Sequence, residues 1–269
     1  MSGLTLELKA PVPLRLDLRG LTPAALAALS VAEVERLTVG CGNALLPLGE
    51  FFRVAARSDD TLLLQGDLSC CDFVGWQMDG GTLLVEGAVG DYAGGGMRAG
   101  ELRVKGDAGA LVACEMTGGT LTVEGSVGDF AASTLPGSMD GMRGGTLVVR
   151  GNAGARFGDR MRRGTALIFG DAGDFLASRM VAGTIALAGR AGAHVGYGMR
   201  RGSVVFAGPA PGPSATFVPA VAGTPVFWQL LSRDLAPHGG AFASLSARGI
   251  DRHLGDIAAG GKGELIVVR

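Results

Sequence analysis

Lysine is nearly missing from this chain. Only Lys9, Lys105 and Lys262 occur in 269 residues, against 21 arginines. The formal charge is −1, so nothing signals a general polyanion binder, and no nucleic-acid partner is expected. What cationic surface exists is a surface of rigid guanidinium forks suited to carboxylates and phosphates. Histidine is as scarce as lysine, and His194, His238 and His253 share no metal-ligand spacing. The four cysteines, Cys41, Cys70, Cys71 and Cys114, form no C-x-x-C, and the adjacent pair is badly placed for a disulfide. Cys70 and Cys71 read as small buried hydrophobes rather than nucleophiles. No uncharged apolar run of about 18 residues or more occurs, and no secretory leader opens the chain. The expectation is a soluble, reduced, cytoplasmic protein with no membrane partner.

Reaction motifs are lacking too. Gly94-Gly95-Gly96 is not followed by Lys-Ser or Lys-Thr, and no G-x-G-x-x-G opens a helix in a βαβ unit. No G-x-S-x-G elbow is present. These absences predict no catalytic residue, no cofactor-binding residue and no metal site.

Glycine is what the chain has in excess, 47 residues of 269, against a usual share of about 7%. The excess is ordered. Met78, Met97, Met116, Met142, Met161, Met180 and Met199 are each followed three residues later by a glycine, then a five-residue run, then another glycine. The methionine spacings are 19, 19, 26, 19, 19 and 19, one period with a single seven-residue insertion. Within each run the second and fourth residues are apolar, from Leu83 and Val85 to Val204 and Phe206, as inward-facing strand positions must be. One 19-residue unit cannot bury its own apolar face, but units stacked as parallel strands can. The period is too short for helical-pair repeats and carries no leucine-rich-repeat signature. The fold class expected is therefore all-β, a parallel β-helix of about seven to eight coils of 19 residues, roughly 30–35 Å long at the usual strand spacing. Glycines at the corners supply positive φ and close backbone approach. Asp107, Asn152 and Asp171 after the second glycine are expected to suit a turn by bonding nearby backbone amides. The methionines are expected to form a buried ladder filling irregular space, not a soft-metal site.

Three parts are expected: 1–60, 61–208 and 209–269. The first is a small α/β segment. Leu4–Leu8 and Leu14–Leu18 alternate as strands, Thr22-Pro23 opens a helix, and Ser30 with Glu33 reads as a capping box. Leu37–Gly40, Phe51–Val54 and Leu62–Leu64 read as further strands, with Gly40–Asn43 as a turn and a degenerate coil starting near Thr61. The last part is a linker and cap. Pro209, at the first linker position, is expected to stop further coils from adding to the stack. The same part then supplies the Pro225–Leu231 segment, a short helix, and a strand candidate at Glu264–Val268. Outward strand positions run from charged (Glu101, Arg103, Lys105) to apolar (Leu167, Phe169, Ala186, Val205), so the apolar end needs a cover, supplied by the tail or by a partner.

One column stands out. The residue after the ladder methionine is Asp79, Arg98, Thr117, Arg143, Arg162, Val181 or Arg200. Stacked arginines repel unless an anion sits between them. Arg98, Arg143, Arg162 and Arg200 either pair with aspartates such as Asp159, Asp171 or Asp174, or contact a partner's acidic surface or a polycarboxylate.

The unit M-x-x-G-x-L-x-V-x-G-x-x-G, with Gly40-Cys41-Gly42-Asn43 and Phe51-Phe52-Arg53-Val54 ahead of it, resembles the C subunits of formylmethanofuran dehydrogenases. It also resembles the C subunit of the bacterial formyltransferase/hydrolase complex, over roughly residues 30–208. That resemblance implies a right-handed β-helix serving as a non-catalytic scaffold in a multi-subunit complex of one-carbon metabolism, on the path of formaldehyde oxidation. The implied partners are amidohydrolase-like A, B and formyltransferase D subunits, with tetrahydromethanopterin and a methanofuran-type carrier as the formyl carriers. No cofactor is then bound by this chain; the carrier and any metals belong to the partner subunits. The carrier's polyglutamate arm would give the arginine column a candidate ligand. The arginine-heavy composition leans towards the hydrolytic complex; the alternatives are the molybdenum or tungsten dehydrogenase and a free-standing β-helical structural or binding protein. A free-standing acyltransferase would use hexapeptide coils, which the 19-residue period opposes.

Overall fold

Alternation makes the strands here and the period stacks them. The computed structural model describes residues 3–220 and 226–269. Strand β1 (Leu4–Leu8) forms where the first alternation lies, while the second shortens to β2 (Leu16–Asp17). Thr22 caps α1 (Pro23–Leu26), accepting from the Ala25 amide at 3.3 Å. Ser30 and Glu33 complete the expected capping box on α2 (Val31–Arg36). Next come β3 (Thr38–Cys41) and β4 (Ala44–Pro47), a hairpin in which Cys41 still pairs with Ala44, so only Gly42 and Asn43 turn. A short α3 (Leu48–Phe51) removes Phe51 from the expected strand, and β5 is Phe52–Ala56.

From β6 (Thr61–Gln65) and β7 (Cys71–Asp72) the chain enters the periodic region. Its strands are β8 (Asp79–Glu86), β9 (Ala99–Val104), β10 (Thr120–Val123), β11 (Arg143–Val149), β12 (Arg163–Ile168), β13 (Thr184–Leu187) and β14 (Ser203–Phe206). Consecutive members pair in parallel and in register, Leu102 on Leu121 on Leu147 on Ala166. β6 joins β8 in the same register, so the degenerate repeat near Thr61 is real. A second ladder of parallel bridges runs through Leu68, Val89, Ala108, Val127, Ala153, Ala172 and Ala191 at the same spacing.

The tail contributes β15 (Val218–Pro219), α4 (Val226–Leu235), β16 (Ile250–Gly255) and β17 (Gly263–Val268). The Trp228 segment is itself the helix; Pro225 lies outside the described residues. One finding corrects the sequence reading. The proline linker does not end the stack, because β17 returns and pairs in parallel with β14, Val204 opposite Leu265. An open edge of unpaired amides and carbonyls is the physical reason, since it accepts any strand whose alternation matches. At the other end β1 pairs in parallel with β6 and antiparallel with β5, extending the sheet beyond the repeat. The result is a 13-stranded, mainly parallel sheet in the order β15-β16-β17-β14-β13-β12-β11-β10-β9-β8-β6-β1-β5.

All fourteen inward residues of the seven runs are at most 1% exposed, and so are the seven methionines. The pairing of methionine with glycine has a steric cause. Gly145 has φ +81°, and a Cβ there would stand 2.8 Å from the Met116 Cε of the preceding repeat and 2.7 Å from the Gly119 carbonyl oxygen. Each methionine therefore fills the space left by the next repeat's missing side chain. The Asp and Asn residues after the second glycine do bond nearby backbone amides. Asp107, Asn152 and Asp171 accept from the amides of Ser126, Asp171 and Arg190, one repeat further on, at 2.7–2.8 Å. They tie neighbouring repeats together.

The outer face divides as its residues predict. Lys105 pairs with Glu86 and Arg103 with Glu124 across solvated strands. Val148, Leu167, Ala186 and Val205 are covered by Trp228, Leu235, Phe242, Leu245 and Ile250 of the tail, a second core outside the first. The tail, not a partner, is thus the cover.

Candidate functional site

The residue after each ladder methionine leaves the core and points to solvent because the inward methionine fixes its neighbour outward. Backbone bonds hold the column: the amides of Arg98, Thr117, Arg143, Arg162, Val181 and Arg200 donate to the ladder-methionine carbonyl one repeat back, at 2.7–2.8 Å. Arg98, Arg143, Arg162 and Arg200 are all exposed. Their surroundings differ. Arg143 lies 3.8 Å from Glu115, and Arg162 bonds Asp140 of the inserted loop. Arg98 and Arg200 have no carboxylate partner among the described residues. None of the expected aspartates pairs with the column. Asp159 is buried under Arg179 and the Ser178 hydroxyl, and Asp171 and Asp174 serve backbone amides. Carboxylates already committed to amides or to a neighbouring repeat are not available to the column.

At the Arg162–Arg200 end the column opens into a cleft of about 400 Å³ lined by Arg160, Arg162, Arg179, Arg200, Met139, Val181, Gly198 and Ala259. A second hollow of about 320 Å³ shares Val181, Arg200 and Ala259 with it and adds Arg201, Gly260 and Lys262. Three origins converge here: two arginine columns, the inserted loop through Met139, and the tail through Ala259–Lys262. The tail wall is held by Asp256, whose carboxylate accepts from the amides of Gly198 and Ala258 at 3.0 Å, and by Lys262 N donating to the Arg200 carbonyl at 2.7 Å. Arg160 and Arg179 were not singled out from sequence. The signal existed: they are the residues immediately before Met161 and Met180, both left-handed, with φ +57° and +53°.

Elsewhere the chemistry is quiet. Burial pushes the Cys114 thiol up to about 12 and raises the Cys71 thiol as well. His194 stacks on Phe175 at 4.8 Å, and burial together with Arg150 lowers His238 below its ordinary value. An apolar pocket of about 300 Å³ beside α1, lined by Leu4, Pro23, Leu26 and Leu62, brings no reactive side chains together. Among the described residues no three histidine, cysteine or acidic side chains converge as a metal site would, and no helix is long and apolar enough to cross a membrane.

Fold and surface together define a β-rich repeat protein whose distinguishing surface feature is a cationic cleft. No family model matches the chain. Its sequence is 45% identical over 86 residues to the C subunit of the formyltransferase/hydrolase complex Fhc of Methylorubrum extorquens, covering 32% of each chain. It is 33% identical over 101 residues to the C subunit of the tungsten-containing formylmethanofuran dehydrogenase 2 of Methanothermobacter marburgensis, covering 36% of this chain and 37% of that one. These alignments span about a third of the curated relatives' length. A solved structure extends the likeness to nearly the whole molecule. A chain in the crystal structure of the formyltransferase/hydrolase complex FhcABCD from Methylorubrum extorquens with methylofuran matches with a TM-score of 0.92 and 42% identity, over 98% of both chains. The chain belongs to the family of C subunits of formyltransferase/hydrolase and formylmethanofuran dehydrogenase complexes.

Proposed function

We propose that this chain is the C subunit of a formyltransferase/hydrolase complex and acts there as a non-catalytic scaffold. The observation that carries the proposal is the 42% identity over 98% of both chains to a component of FhcABCD, solved with methylofuran. The 45% match to the Fhc relative favours this hydrolytic complex over the tungsten or molybdenum dehydrogenases, whose C subunits are 33–35% identical. In this reading the partners are the amidohydrolase-like A, B and formyltransferase D subunits, and the methanofuran-type carrier is handled in them. The complex works in the cytoplasm, in tetrahydromethanopterin-dependent one-carbon metabolism. The stack winds as a right-handed parallel β-helix over 61–208, with 1–60 and 209–269 as its end pieces; the two ladders at one spacing support this. Arg98, Arg143, Arg162 and Arg200 face a partner's acidic surface or a polyanion.

Reconstitution tests the scaffold role. Omitting this chain from co-expressed A, B and D subunits should abolish the complex, while the intact complex should keep its turnover within about threefold for single polar-to-alanine changes in this chain. A single change here that cuts kcat a hundredfold while the complex stays whole would replace the scaffold reading with a catalytic one.

A further inference from the structure

We propose that the cleft between Arg162 and Lys262 docks an extended acidic segment of a partner protein. The inference rests on the reading of this chain as an assembly component and adds where and how one partner is held. Two of the cleft's cations are answered within the chain, Arg162 by Asp140 and Arg179 by the buried Asp159. Arg160, Arg200, Arg201 and Lys262 are not, among the described residues, although they line two adjoining hollows that share Val181, Arg200 and Ala259. Unanswered like charges this close raise each other's energy, and an incoming row of carboxylates removes that penalty.

The walls say that the anion arrives on a protein. Met139 lines the cleft with 65% of its surface exposed, against the Arg160 guanidinium. Tyr197 and Ile257, 59% and 53% exposed, stand one and two residues before the lining residues Gly198 and Ala259. A bare methionine among arginines, with an exposed tyrosine and isoleucine next to the lining residues in the chain, is the composition of a protein interface. An anion site for free phosphate would instead converge backbone amides, and those of Arg162, Arg200 and Lys262 are already bonded to carbonyls. The arginines come from repeats one or two strand spacings apart, about 4.8 or about 9.6 Å, so the matching segment is extended. The floor is held in place, because the guanidinium-bearing turns and the tail wall are tied through Asp159 and Asp256. Little ordering is then needed on this side when a partner binds.

Site-specific cross-linking in the assembled complex is the test. Arg201→p-benzoylphenylalanine places a photoreactive ring at the cleft, and the same change at Arg53, on the far edge strand, is the control. The expected product joins position 201 to a partner peptide with at least three Asp or Glu within six residues, absent from the Arg53 control. Arg200→Glu with Arg201→Glu should slow association at least tenfold at 50 mM salt and about twofold at 500 mM, and arginines placed at the cross-linked acids should restore it. If that double variant does not fold, the single Arg201→Gln should still weaken the salt dependence. Cross-linking to a neutral or basic segment or to a second copy of this chain would overturn the inference. So would no cross-link in an intact complex, or charge reversal without effect. If the wild-type chain forms no complex at all, the assembly reading fails first and takes the cleft with it.

Discussion

Single residues in this chain are chosen for what stands one repeat away. Met142 is fully buried and its Cε lies 3.0 Å from where a Gly164 Cβ would be. Met142→Ala leaves a void that the flanking repeats cannot close, and should cost about 2–5 kcal/mol in denaturant unfolding. Met142→Leu should cost less than about 1.5 kcal/mol, because volume is kept. A soft-metal role would invert that order of concern, with both variants losing metal and neither losing stability. Gly145→Ala meets both a left-handed φ and the Met116 methyl, so it should destabilise by more than about 1 kcal/mol. The thiols are equally definite. Cys41, Cys71 and Cys114 are buried, and Cys114 is pushed up to about 12, far above neutral pH. At pH 8 a thiol reagent should therefore label at most Cys70 in the folded protein, and all four cysteines after guanidinium. Rapid native labelling of Cys114 would contradict the packing described.

At the level of elements, the strands and their register follow from the sequence because a fixed period repeats the same inward pair, and every repeat confirms its neighbour. Caps were legible for the same local reason: Thr22 and Ser30 act within four residues. What sequence did not carry was pairing between unlike segments. Nothing in Leu4–Leu8 marks it as a neighbour of Thr61–Gln65, and nothing in Glu264–Val268 marks it as the strand beyond β14. Long-range edge filling depends on which end is open, a property of the assembled stack. The arginine column was legible, but its ion pairs were not, because Asp159, Asp171 and Asp174 look free in sequence and are engaged in space. The cover over the last strands gives the prediction at this scale. Trp228 is 1% exposed over Leu167 and Val205. Trp228→Ala should cost about 3–5 kcal/mol, bind a hydrophobic dye and promote self-association, while circular dichroism of the repeat strands is retained. Loss of all strand signal would mean that the tail is needed to form the stack, not only to cover it.

For the molecule as a whole, the uneven surface is the functional statement. One outer face is sealed by the chain's own tail, the other end is solvated by cross-strand ion pairs, and Arg160, Arg200, Arg201 and Lys262 gather where loop, repeats and tail meet. A regular repeated backbone that gathers cations at one place offers a partner a surface to dock on. The measurement that bears most directly on this is the native mass of the tagged chain purified at low salt from the cells that make it. The account predicts an assembly several times the 27.2 kDa of the chain, containing formyltransferase and hydrolase subunits in fixed ratio, that loosens as salt is raised. A stable 27.2 kDa monomer under those conditions would contradict it.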